Sequence, residues 1–117
     1  MKARLLFAGL MLAASSASAQ AVPSVEALRV AEDLAAARVR YQEAHPTVVA
    51  LRARERVLAS ERTDDRAMVC DHLRRREVAL LTDDAELATR YGPRHPRVRE
   101  VQARLETVRR YRDSICD

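Results

Sequence analysis

Three histidines and two cysteines are the side chains of this sequence best suited to bind a metal, move a proton or attack an electrophile. Two of the histidines, His45 and His95, lie fifty residues apart within a repeated pattern, R-Y-x-x-x-H-P-x-V, at residues 40–48 and 90–98. A metal or general-base site would need further carboxylates or thiols, and the shared positions of the pattern supply none. The backbone gives these histidines a simpler role. Proline at the first position of a helix loses no intrahelical hydrogen bond, and its fixed φ suits the helix. The residue before it is pushed out of the α region, so each histidine ends a turn. Its imidazole can cap an exposed helix end, and the tyrosine four residues earlier can pack across the joint. Tyr41, His45, Pro46, Tyr91, His95 and Pro96 therefore read as two equivalent helix joints, with no cofactor expected at either.

The cysteines follow from the same geometry. If Gly92 to His95 is the tip of an antiparallel helical hairpin, the turn centres near 93 and facing residues have numbers summing to about 186. Cys70 and Cys116 sum to 186, which predicts a disulfide at the open end of that hairpin. His72 stands two positions from Cys70 and falls on a different helix face, which argues against a Cys–His nucleophile. Applied to the first copy, the arithmetic centres the turn near 43 and sets Ser24 opposite Arg62.

The elements that carry these joints are helical throughout. The similarity extends past the joints, since Ala53-Arg54 matches Ala103-Arg104 and Arg62 matches Arg112, as expected for an internal duplication. From a Ser24 cap, Ala27, Val30, Leu34, Ala37 and Tyr41 recur at spacings of 3 and 4. Val48, Leu51 and Leu58 continue such a seam after the first joint, with Glu55 in one of its slots. The polar run 60–66 predicts a break, with Thr63 or Asp64 capping the next helix. The alternative is one long helix over 46–90 and an elongated three-helix rod. Val69, Leu73, Leu80, Leu87 and Tyr91 line the third segment, which Gly92-Pro93 stops. Val98, Val101, Leu105, Val108 and Ile115 line the fourth, where Arg112 interrupts the heptads. The expected fold is all-α: two consecutive antiparallel αα-hairpins, 24–62 and 64–116, forming a small helical bundle or elongated coiled coil.

Composition bounds the rest. Lys2 and Arg4, a short apolar run at 5–14 and Ala17-Ser18-Ala19 read as a secretory signal peptide over 1–19, leaving 20–117 as a single helical domain in a periplasmic or secreted setting, not an integral membrane protein. Beyond Lys2 and Arg4 the 19 remaining basic residues are all arginine and face 17 acids. That near balance argues against a nucleic-acid partner. Arg74-Arg75-Arg76 with Arg94, Arg97 and Arg99 read mainly as solvated faces, suited where they cluster to an anionic glycan or lipid phosphate. With no glycine-rich phosphate loop, paired-carboxylate pocket or metal cluster in the sequence, an enzyme is not expected.

Residues Arg40 to Arg54, and more closely Arg90 to Leu105 (RYGPRHPRVREVQARL), resemble the helix joints in the periplasmic region of polysaccharide co-polymerases, the chain-length determinant proteins of exopolysaccharide and lipopolysaccharide export. The resemblance implies a coiled-coil hairpin in the cell envelope and does not extend to control of glycan length. Leu81-Thr82-Asp83-Asp84 resembles the L-T-x-x-Q element of small helical periplasmic chaperones, with Ala85 in the glutamine position. The functional expectation is a scaffold or adaptor acting through coiled-coil contacts, as a homo-oligomer or on a helical envelope protein. Val30 and Leu34 would offer its exposed seam, and Val98, Val101, Leu105 and Val108 would form the core seam of the second hairpin. A chaperone-like binding module is the alternative.

Overall fold

The computed structural model describes residues 21–117, and the expected signal peptide at 1–19 lies outside them. The described residues form four helices, α1 (Val25–Arg40), α2 (Pro46–Leu58), α3 (Arg66–Tyr91) and α4 (Pro96–Ile115), with two-residue strands β1 (Val22–Pro23) and β2 (Arg62–Thr63). Each helix starts on a side-chain cap. Ser24 accepts from the Ala27 N–H and Asp65 from the Met68 N–H, both at 3.1 Å, while His45 and His95 cap α2 and α4. The cap of α3 is one residue beyond the predicted Thr63 or Asp64. The Thr63 hydroxyl instead accepts from the Asp65 N–H and shapes the turn into the cap.

The chain is interrupted between α2 and α3, so residues 46–90 are two helices and the elongated three-helix rod is excluded. The interruption is anchored by pairing of β1 with β2, Val22 opposite Thr63 and Pro23 opposite Arg62. Ser24 donates its N–H to the Glu61 carbonyl at 3.3 Å beside this ladder. So short a ladder has no sequence signature. It exists because the first hairpin returns the chain to its own start.

Two antiparallel hairpins, α1–α2 and α3–α4, pack through α1 against α4. Contacts fix the directions: Arg40 pairs with Glu100 and Asp33 with Arg104, so α1 runs antiparallel to α4, and Glu32 reaches Arg76 on the parallel α3. The larger core joins Leu28 of α1 to Val69, Leu73 and Leu80 of α3 and Leu105, Val108 and Ile115 of α4, with Val22 closing its end and Val101 packed on its side. A smaller core joins Leu34 and Ala37 to Val48, with Leu51 against it. Val98 is fully buried near the second joint.

One expectation is corrected by this packing. Val30 and Leu34 are buried within the monomer and offer no exposed seam. Helix α1 lies between neighbours, so α2 covers the face that carries Leu34 while α3 and α4 cover the face that carries Leu28. Helix α1 is thus covered on both faces, and the exposed large apolar side chains lie on other helices, α2 among them.

Candidate functional site

The repeated joints are built alike. His45 Nδ1 accepts from the Thr47 N–H at 3.1 Å, and His95 Nδ1 accepts from the Arg97 N–H at 3.2 Å. In both joints Nδ1 is the accepting ring nitrogen. Tyr41 stacks on His45 with centroids 3.9 Å apart, and Tyr91 on His95 at 4.5 Å. Pro46 and Pro96 occupy the first turn of their helices. Each histidine is consumed in its own joint as a cap. Among the described residues no group of three His, Cys, Asp or Glu side chains is placed to hold a metal.

The joints differ in charge. In the first, Glu43 bonds Arg38 at 2.7 Å and meets Arg52 at 3.5 Å, and the hydrogen bond from Arg38 holds its carboxyl below the usual carboxylate range. In the second copy Pro93 stands where Glu43 would be, and Arg90, Arg94, Arg97 and Arg99 form no ion pair among the described residues. Arg97 lies over the Tyr91 ring at 5.8 Å. The arginines at 74–76 are engaged differently: Arg75 pairs with Asp71 and Arg76 with Glu32, which leaves Arg74 as the solvated member of that run.

Cys70 and Cys116 form the predicted disulfide, their Cα atoms 5.8 Å apart, so neither is a thiol nucleophile. Arg66 donates to the Ile115 carbonyl at 2.9 Å beside it. The Arg112 that interrupts the heptads of α4 is paired with Glu77 of α3, which explains a charge in a seam position. Its neighbour Asp113 is the first cause, with Glu77, of the upward shift of Arg112.

Sequence reading missed the most buried charge. Glu32 is 2 % exposed and takes two hydrogen bonds from Arg76, at 2.7 and 3.1 Å. Arg104 bonds Asp33 at 2.7 Å and approaches Glu32 at 3.9 Å. The hydrogen bonds it donates to Glu32 raise Arg76 above its ordinary value. The available signal was a second stripe on α1, Leu28, Ala31 and Ala35, within which Glu32 sits.

His72 borders this cluster, and its Nε2 is buried with no hydrogen-bond partner. Burial, then the charge of Arg29 with smaller contributions from Arg76 and Arg75, holds His72 below its ordinary range, against the opposing pull of Glu32. The folded protein therefore binds fewer protons than the unfolded chain once pH falls below about 6.5. The contribution of His72 to stability is full above that pH and is lost as pH falls through the unfolded value toward the folded one. Thermal midpoints measured from pH 8 to 5 should show this decline, and His72→Leu should flatten the part of it between pH 7 and 6. An unchanged profile in the variant would exclude His72 as its source.

Among the described residues no helix is long and apolar enough to cross a membrane. The exposed large apolar side chains fall chiefly on two helices, Val49 and Val57 on α2 and Met68, Val78 and Leu81 on α3. No family model, curated protein or solved structure matches this chain.

Proposed function

We propose that this chain is a small exported helical scaffold or adaptor that works through helix-face contacts in the cell envelope, in the polysaccharide-export setting suggested by its R-Y-x-x-x-H-P-x-V joints. One observation carries the reading. The histidines at the joints, both cysteines and the buried charges are spent on holding the fold, while apolar faces of α2 and α3 remain uncovered. The disulfide supports an oxidising compartment. The uncompensated arginines of the second joint suit a phosphate- or carboxylate-bearing partner at that end.

The chaperone-like alternative draws support from an open groove of about 360 Å³ between α1, α2 and α4, where Leu34 and Tyr111 meet Arg38 and Arg110. A photo-cross-linking side chain placed at Val78 in the exported protein separates the two. The scaffold reading expects adducts with one or a few folded helical proteins, another copy included. A broad ladder of unfolded clients, with suppression of client aggregation by the purified protein, would favour the chaperone. Absence of adducts both from this position and from Val57 would overturn the scaffold reading.

A further inference from the structure

The uncovered faces are repeat-equivalent to a contact that the monomer already makes. The fifty-residue shift maps α1 onto α3 and α2 onto α4, with joints at the same positions. Inside the monomer α1 packs against α4. A closed four-helix bundle would also contain the counterpart of that contact, α3 against α2. The structure has no such extended contact, so α2–α1–α4–α3 is an open series of helices.

The residues at the open ends match the closed interface. Leu28, 2 % exposed in the core of α1, has as its counterpart Val78, 65 % exposed on α3. Thr107, 5 % exposed on α4 and lining one groove with Ala31 and Ala35, has as its counterpart Val57, 70 % exposed on α2. Ala31 corresponds to Leu81, also exposed. The ion pair repeats as well. Asp33 and Arg104, bonded at 2.7 Å across α1 and α4, correspond to Asp83 on α3 and Arg54 on α2. Both counterparts are exposed, and among the described residues Arg54 pairs only with Glu26, at 3.7 Å, each more than half exposed.

We infer that a second copy of this chain covers these faces, α3 of one copy docking on α2 of the next as α1 docks on α4, with Asp83 of one copy paired to Arg54 of the other. This rests on the scaffold reading and names its partner. The contact is heterologous, so it closes into a ring or extends as a chain according to the rotation between copies. Apolar side chains at Val57, Val78 and Leu81 supply the buried area, and the charge pair sets the register.

Sedimentation of the purified, oxidised protein over a concentration series, with a benzophenone side chain at Val57, tests the contact. Concentration-dependent assembly is expected, with photo-adducts on the α3 segment around Leu81 of another copy. Asp83→Arg alone or Arg54→Asp alone should weaken assembly by about tenfold, because like charges then face each other. Carrying both changes, or mixing the two single variants, should restore it. Circular dichroism confirms folding of each variant, which the exposure of both sites favours. A monomer at all concentrations, adducts joining α2 to α2, or no rescue by the double change would overturn the contact. If the purified protein is monomeric but position 57 cross-links a different helical protein in the envelope, self-docking falls and the scaffold reading stands. If nothing is cross-linked there or at Val78, both fall.

Discussion

Reducing the Cys70–Cys116 bond should lower the unfolding free energy by about 4 kcal/mol, the chain-entropy value for a loop of this length. The two cysteines are 46 residues apart, and their bond ties the second turn of α3 to the end of α4. Val22, Val69 and Ile115 pack into the same core as Cys70, so the cross-link and the apolar end of the bundle reinforce each other. For a domain of this size each kcal/mol moves the midpoint by roughly 4–8 °C, so the expected fall is on the order of 20 °C. Calorimetry of the oxidised protein against the protein in reductant measures it, and the Cys70→Ser, Cys116→Ser double variant should match the reduced form. Midpoints within a few degrees of each other would mean that helix packing alone sets the stability.

Arg76→Ala should be nearly as damaging, at about 3 kcal/mol, because it strands the buried Glu32 carboxylate. The figure is at the low end for a buried pair because Arg76 itself is about one-third exposed and water can approach its side of the bond. Arg104, 3.9 Å from Glu32, recovers part of the loss. Replacing both partners with Met should restore most of the stability, since a packed apolar pair leaves no unmatched charge inside. A double-mutant cycle in urea, with Glu32→Met, Arg76→Met and the pair, measures the coupling. Additive effects would mean that the bidentate contact contributes nothing of its own.

Much of this molecule is local or one-dimensional, and that part was legible in the sequence. Proline at 46 and 96 dictates where α2 and α4 begin and places His45 and His95 at their caps, because φ and the missing N–H act within one turn. A hairpin with a known tip has a single antiparallel register, so Cys70 was matched to Cys116 by position, and Ser24 was placed within a residue of the observed pairing of Pro23 with Arg62. The seam of α4 followed from its heptads, and Val98, Leu105 and Val108 are buried as their spacing required.

How the two hairpins lie together was decided only in three dimensions. Helix α1 is rich in alanine and has two faces of similar apolar character, so its period does not say which face meets α2 and which meets α4. Both became interior, which buried Val30 and Leu34, drew Glu32 to Arg76 across forty-four positions, and orphaned the His72 Nε2. The same choice left Val78 and Val57 outside although their repeat counterparts are inside. Periodicity records how apolar a stripe is, whereas the identity of the helix that covers it depends on the sum of long-range packing and charge pairing, which no single segment carries.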